Sequence, residues 1–270
     1  MTGPSTVPPP LPAGHPPPPP TQWDGGWRGL AIAIGLFVAT LTAVYWFVVP
    51  LIVSTAARHV PQELVAIIDA ETLVSLDRSV FGPTTVEPPR QARLAARFSG
   101  LRGVDEAPPA SYRILFRASE QLGANAMALP GGTIVVTDGL MALSGDDDDL
   151  VAVLAHEAGH VDGRHGLRQL FQQSTIALLA TWLIGDVSML AAAAPAALLQ
   201  ARYSRELERE ADRHAAAVLD ANGIPRAHFV RILERLQAST GGEAAGGMLD
   251  YLSSHPVTSE RIAAIAGAGR

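Results

Sequence analysis

Cysteine is absent from the 270 residues of this chain. Its absence excludes disulfides, thiolate metal ligands and a cysteine nucleophile, so any metal site has to be built from His, Asp or Glu. A cysteine-free protein is compatible with either side of a bacterial membrane, and this feature therefore does not identify the compartment.

Charge is also scarce. Charged residues make up 17% of the chain, against roughly a quarter of an average soluble domain. Hydrophobic residues make up 48%, which indicates contact with a membrane. The net charge is -6, and basic residues do not cluster with aromatic ones, so nucleic acid is not expected as a partner. The length is sufficient for one good-sized domain with appendages, or for two small domains.

The N-terminal region combines a proline-rich tail with an apolar run. Residues 1–28 include the proline run Pro16–Pro20 and predict a disordered or polyproline II tail, which we prefer to a docking ligand for an SH3-like groove. Residues 29–53 carry no charge and are long enough to cross a hydrocarbon core of ~30 Å, so we expect one transmembrane helix. A cleaved signal peptide is the competing interpretation, but the run is unusually long for one. Arg28 and Arg58 flank it on opposite sides, so charge does not predict its orientation.

The remaining chain is expected to contain a juxtamembrane helical region, 54–110, and a compact domain, 111–270. Tyr112–Phe116 predicts a short strand at the start of that domain. Pro130-Gly131-Gly132 lies between two apolar runs and predicts a hairpin.

A helix is predicted to follow Gly145. Asp146–Asp149 lie in its first turn, where the helix dipole favours negative charge. A calcium site is the alternative, but no ligand pattern of the EF-hand kind surrounds these aspartates, and capping is the preferred interpretation. Leu150–Ala155 continues the helix as an apolar run.

The pattern His156-Glu157-Ala158-Gly159-His160 follows on this helix. His156 and His160 are four residues apart and project from one face, where both can reach one zinc ion at about 2 Å. Glu157 can take the proton of a water on the metal, while zinc polarises the scissile carbonyl. The pattern also occurs by chance, but burying unpaired His and Glu in an apolar helix is costly, which favours a metal. These residues predict a zinc-dependent peptidase.

A catalytic zinc site needs a third protein ligand and leaves its fourth position open. His165 is one residue short of the spacing found in H-E-x-x-H-x-x-G-x-x-H sites, so we reject it as a ligand. Glu208 and Asp212 are four apart on a later helix; Glu208 would bind the metal and Asp212 would accept a hydrogen bond from a ligand histidine. Periodicity does not distinguish Glu208 from Glu210, and a surface helix with ion pairs is the plain alternative.

Taken together, these motifs resemble those of the membrane-associated zinc peptidases. That family includes the heat-shock protease HtpX, the type 1 CAAX prenyl protease and the mitochondrial inner-membrane quality-control peptidase. The resemblance covers approximately residues 111–265. Besides the zinc-binding pattern and Glu208/Asp212, it rests on Gly123–Gly132, Tyr203-Ser204-Arg205, Ser254-His255-Pro256 and Glu260-Arg261-Ile262.

The resemblance implies a mainly α fold with a small β-sheet (α+β), in which a thermolysin-like zincin domain follows one N-terminal transmembrane helix. It implies that Glu208 is the third ligand of a single zinc ion. It also implies that the substrate strand pairs with the region Ile134, Val135 and Val136. The implied activity is endopeptidase cleavage of membrane or envelope proteins in protein quality control, with the anchor in the bacterial inner membrane and the catalytic domain in the periplasm.

Two further residues have open roles. His255 either lies near the zinc, as an oxyanion stabiliser or a reversible fourth ligand, or is a structural residue before Pro256. Arg205 either contacts a substrate carbonyl or pairs with Asp212.

The chain differs from the multispan members of that family in having one convincing transmembrane segment. Thr175–Leu199 is apolar but is interrupted by Asp186 and Pro195, which predicts two helices joined by a turn at Gly185-Asp186. The alternative function is a non-catalytic envelope chaperone or assembly factor that retains zinc for structure, with His255 closing the fourth position.

Overall fold

The computed structural model describes residues 27–104, 112–173, 188–199, 203–239 and 251–267. Most of the proline-rich tail, up to residue 26, and the turn expected at Gly185-Asp186 lie outside these residues. The chain forms two compact units, Met1–Val49 and Pro50–Arg270.

The first described element is an apolar helix. Helix α1 (Trp27–Ala43) continues through a π-helical turn, Val44–Val48, into α2 (Val49–Arg58). By length and composition, the stretch Trp27–Arg58 is able to cross a membrane, a property that signal sequences share. Large apolar side chains along it are exposed, as is usual for a helix whose surface suits lipid.

The rest of the described chain is mainly helical with a small mixed sheet, which confirms the predicted α+β class. Helix α4 packs against α6, so part of the expected juxtamembrane region belongs to the same unit as the domain that follows. The helices after α2 are α3 (Gln62–Ser79), α4 (Pro88–Ser99), α5 (Asp138–Leu143), α6 (Asp147–Asp162), α7 (His165–Gln173), α8 (Ser188–Leu199), α9 (Arg205–Ala221), α10 (Ala227–Ser239), α11 (Tyr251–Ser254) and α12 (Ser259–Ala266).

Four strands form the sheet in the order β1-β2-β4-β3. Strands β2 and β4 run parallel, and the other two pairs are antiparallel. The predicted first strand is present as β2, and the predicted hairpin is the β3–β4 pair. The strands are β1 (Gly82–Pro83), β2 (Arg113–Ala118), β3 (Ala126–Ala128) and β4 (Thr133–Thr137).

The expectation that a substrate strand pairs with Ile134, Val135 and Val136 is wrong. These residues belong to β4, which has β2 on one side and β3 on the other. Both rows of backbone donors and acceptors on β4 are therefore used within the sheet, and its side chains are buried. The edge on this side of the sheet is β3.

Helix α6 is buried on all sides from Asp149 to Val161. Its N-cap is Asp146, whose carboxylate accepts the backbone N–H of Asp149 at 3.0 Å, as the capping interpretation predicts. The buried carboxylate of Asp149 accepts hydrogen bonds from Arg231 and faces His228, both on α10. At this end of α6, Arg231 thus provides positive charge beside Asp149, which is the role that a calcium ion would have in the alternative interpretation.

Helices α6 and α9 pack directly against each other at Gly159. A Cβ atom at this position would lie 2.9 Å from Ala211 Cα and 3.0 Å from His214 Cβ. Because the nearest atom belongs to the backbone of α9, rotation of a side chain cannot relieve the contact. Glycine therefore determines how closely the two helices approach.

We expect Gly159→Ala to lower the free energy of unfolding by about 1 kcal/mol, because overpacking costs ~1–3 kcal/mol and the better helix propensity of alanine offsets up to ~1 kcal/mol of it. Thermal and urea unfolding of the purified protein measure this change. Gly100→Ala is the control, since its Cβ would make ordinary contacts at the end of α4. Equal stability of the two variants would contradict the close approach.

The turn of the β3–β4 hairpin is held by Asp69 of α3. The Asp69 carboxylate is 7% exposed and accepts the backbone N–H of Gly131 at 2.7 Å. Burial raises the pKa of Asp69 to about 6, although hydrogen bonds from Gly131 and Thr133 and the charge of Arg113 oppose this rise. The hairpin is therefore attached to a carboxyl group whose ionised form is disfavoured by burial.

A raised folded-state pKa means that the stability associated with Asp69 is present at low pH and is lost as pH rises through about 6. We expect the unfolding free energy of the wild type, relative to Asp69→Asn, to fall by up to ~3 kcal/mol from about pH 4 to about pH 8. Urea unfolding across that range measures the difference, with Glu71→Gln on the exposed face of α3 as control. A difference independent of pH would refute the assignment.

Candidate metal centre

Four buried side chains come together where α6, α9 and the segment after α11 meet. They form what we term the metal group: His156 and His160 from α6, Glu208 from α9, and His255 after α11. Their potential ligand atoms all lie within 4.8 Å of one another, and each residue is at most 2% exposed. The predicted pair of histidines and the predicted glutamate are thus in one place, and His255 is with them.

The spacing of these atoms fits a divalent cation. His156 Nε2 lies 3.0 Å from His160 Nε2 and 3.4 Å from His255 Nδ1. Glu208 Oε1 lies 3.4 Å from His160 Nε2. Bonds of about 2.0–2.1 Å in a tetrahedral site place ligand atoms about 3.3 Å apart. A buried set of three imidazoles and one carboxylate at these separations is therefore suited to hold a metal ion.

Glu157 lies beside the metal group. Its Oε2 atom accepts the backbone N–H of Ala128 on β3 at 3.1 Å, and its Oε1 atom lies 3.6 Å from His255 Nε2. Oε1 has no hydrogen-bond partner among the described residues. Burial raises the pKa of Glu157, against the opposing charges of His255 and His156. One carboxylate oxygen is thus fixed by the sheet, and the other faces the metal group.

Asp212 supports the metal group from behind. Its Oδ1 atom lies 3.0 Å from His156 Nδ1, the ring nitrogen that faces away from the other ligands. Arg261 of α12 donates two hydrogen bonds of 2.8 Å to the Asp212 carboxylate. The same guanidinium lies 2.7 Å from Glu208 Oε2. Burial raises the pKa of Glu208, but the surrounding histidines, His255 first, outweigh it and hold that pKa well below its usual range.

Of the two roles left open for Arg205, the pairing with Asp212 is wrong. Asp212 is paired with Arg261, and Arg205 is exposed at the first position of α9. Sequence reasoning recognised Arg261 only as part of a family motif and gave it no role. Arg205 instead lines a groove of about 680 Å³ that runs along α9 and α12 and reaches Glu208.

Two tyrosines enclose the metal group. Tyr203 stacks on His160 with ring centroids 4.0 Å apart, and Tyr251 stacks on His255 at 4.4 Å. Burial lowers the pKa of His255, but Glu208 and Glu157 outweigh burial and raise it. Sequence reasoning gave Tyr251 no role, because a single tyrosine outside any motif does not indicate that it packs beside a metal site.

The structure also separates Glu208 from Glu210, which periodicity did not. Glu208 is part of the metal group, whereas Glu210 Oε2 lies 3.2 Å from His165 Nε2. His165 is not in the metal group; its Nδ1 atom lies 2.9 Å from His160 Nδ1. Burial lowers the pKa of His165 to about 4. His165 is therefore placed behind a ligand histidine, in agreement with its rejection as a ligand.

Known proteins with similar sequences show which family this chain is related to. Mitochondrial metalloendopeptidase OMA1 of Arabidopsis thaliana is 33% identical over 145 residues, which are 53% of this chain and 29% of the relative. Metalloprotease YcaL of Escherichia coli (strain K12) is 31% identical over 177 residues, which are 63% of this chain and 66% of the relative. Beta-barrel assembly-enhancing protease of the same strain is 31% identical over 156 residues, 52% of this chain and 31% of the relative.

The chain spans about a third or less of the length of two of these relatives and 66% of the third. The sequence profile of Peptidase family M48 matches residues 88–268, which include the whole metal group, Glu157, Asp212 and Arg261. This match covers more than half of the chain, and the chain belongs to Peptidase family M48.

Proposed function

We propose that this chain is a membrane-anchored, zinc-dependent endopeptidase that hydrolyses peptide bonds of membrane or envelope proteins in protein quality control. The observation that carries the proposal is the buried group of His156, His160 and Glu208 with Glu157 beside it. Two imidazoles and a carboxylate, without thiolates, are a ligand set that zinc peptidases use.

The chemistry assigned to each side chain follows from its contacts. His156, His160 and Glu208 would hold zinc, which acidifies water and polarises the scissile carbonyl. Glu157 would take a proton at Oε1 from the water that adds to the scissile carbonyl, and would deliver that proton to the amine as the C–N bond breaks, while the N–H of Ala128 holds Oε2 in place. Asp212 fixes the ring of His156 by accepting its Nδ1–H.

Substrate binding is assigned to the edge strand β3. Asn125 and Leu129 form hydrogen bonds with β4, so the alternation of an antiparallel pair turns the backbone groups of Ala126 and Ala128 away from the sheet. The N–H of Ala128 already points to Glu157. A peptide that adds to this edge as a further strand would lie beside the carboxylate that acts on it.

The membrane assignment rests on the apolar stretch Trp27–Arg58. We assign residues 29–53 to an uncleaved anchor in the bacterial inner membrane, and residues 88–268, which match the family profile, to the peptidase domain, facing the periplasm. One relative is named as a beta-barrel assembly-enhancing protease, and we infer envelope proteins as the substrate class of this chain on that basis.

We expect Glu157→Gln to lower kcat for casein by ~10²–10⁴-fold, because the amide cannot accept the proton. Zinc content should be unchanged, since Glu157 is outside the metal group. Casein cleavage and metal analysis of the purified protein measure both effects, and Glu71→Gln is the exposed control. Unchanged cleavage by the Glu157→Gln variant would exclude the proposed mechanism.

A second candidate function is favoured by one observation, the presence of His255 among the potential ligands. Four protein ligands would close the coordination shell and leave no position for water, as in structural zinc sites. The chain would then be an envelope chaperone or assembly factor that retains zinc for its fold.

His255→Ala distinguishes the two candidates. For the peptidase we expect zinc affinity to fall much less than in His156→Ala, because three ligands remain. A structural four-ligand site would lose affinity equally in both variants, and the wild type would not cleave casein. Chelator competition measures the affinities, with His59→Ala as the exposed control.

A further inference from the structure

His165 is a fully buried histidine to which the proposed chemistry gives no part. It is the first residue of α7 and lies behind His160, on the side away from the other ligands. Its two ring nitrogens face two different groups. Nδ1 lies 2.9 Å from His160 Nδ1, and Nε2 lies 3.2 Å from Glu210 Oε2.

We propose that His165, held by Glu210, is a positioning residue that fixes the ring and tautomer of His160 so that His160 Nε2 is presented to the metal. The proposal rests on the proposed zinc site and deepens it. It assigns functions to both glutamates of the Glu208-x-Glu210 stretch: one is in the metal group, and the other supports it from a second layer.

The positions of the protons follow from the contacts. A histidine that binds a metal through Nε2 carries its proton on Nδ1. His160 therefore donates from Nδ1, and His165 accepts at its own Nδ1. His165 then carries its proton on Nε2, where it faces the carboxylate of Glu210. The contact between His160 and His165 thus has one donor and one acceptor, and Glu210 Oε2 lies 3.2 Å from the remaining ring nitrogen of His165.

The two α6 ligands are thus supported in different ways. Asp212 contacts His156 directly, at 3.0 Å, whereas the carboxylate behind His160 acts through an intervening imidazole. Arg168 Nη1 lies 3.6 Å from the same Oε2 atom of Glu210 and adds a positive charge beside it. Glu210 is accordingly held by two residues of α7, His165 and Arg168, although its side chain is 45% exposed.

The turn after α6 is shaped to bring His165 back beneath His160. A Cβ atom at Gly163 would collide with Nε2 of the His165 ring, so any larger residue here would displace that ring. Arg164 adopts φ 50°, a conformation that is uncommon outside glycine. Its guanidinium donates to the carbonyls of Ala57 and Val60 at 2.9 and 3.0 Å, which holds the turn in place.

The test compares zinc affinity in two His165 variants. Leucine fills the space of the imidazole but offers no hydrogen-bond acceptor to His160. In asparagine, by contrast, the Oδ1 atom can accept in place of the Nδ1 atom of histidine. We expect His165→Leu to weaken zinc binding by ~10–100-fold, as loss of an outer-shell partner does, and His165→Asn to restore most of that loss. Chelator competition on the full chain, with zinc as the probe, measures both affinities.

Glu210→Gln is the companion variant, because it removes the charge behind His165 and leaves the buried residues intact. We expect a smaller loss of zinc affinity than in His165→Leu, and none in Glu206→Gln, the exposed control on α9. Unfolding of each metal-free variant reports general damage to the fold. Rescue by asparagine at equal metal-free stability is a result that a packing role would not produce.

The outcomes separate this proposal from the one on which it rests. Zinc affinity in His165→Leu equal to that of the wild type, or no advantage of asparagine over leucine, overturns the positioning role alone. A wild-type protein that binds zinc but does not cleave casein overturns the peptidase function alone. A wild-type protein that binds no zinc overturns both.

Discussion

The close approach of α6 and α9 at Gly159 is the contact on which the metal group depends. Helix α6 contributes His156, His160 and the proposed base, and α9 contributes Glu208 and Asp212. Gly159 lies between the two ligand histidines in sequence, at the point where a Cβ would meet the backbone of α9. A wider separation of the helices would carry Glu208 away from both imidazoles, because closely packed interiors transmit such a shift. Backbone packing, rather than side-chain choice alone, therefore sets the ligand geometry.

Burial of so many ionisable groups is costly unless opposite charges lie beside them. Arg261 is the central one, since it contacts the carboxylates of Glu208 and Asp212 at once. An unpaired carboxylate buried at that depth would be costly and would take up a proton. Burial raises the pKa of Asp212, but the hydrogen bonds from Arg261 outweigh burial and hold that pKa low. The metal group is thus part of a larger buried network of charges.

The sequence predicted those parts of this arrangement that depend on local spacing. The pair His156 and His160, the first-turn cap of α6 and the β3–β4 hairpin all follow from residues close together in the chain. Glu208 was distinguished from Glu210 only by family resemblance, because both lie on the same helix. Arg261 and the central position of β4 depend on contacts between distant segments. Local periodicity contains no information on which strand forms the edge of a sheet.

The hydrogen bond between Glu157 and β3 joins the proposed base to the strand at which we propose that substrate binds. The N–H of Ala128 holds Glu157, and the neighbouring outward groups of β3 face the side on which a peptide would add. On the other side of the hairpin, Asp69 holds the turn through Gly131. A shift of the hairpin would therefore move the outer edge of β3 together with the N–H group that holds the Glu157 carboxylate. One short strand thus relates the proposed substrate edge to the proposed base, because both contacts are made by its backbone.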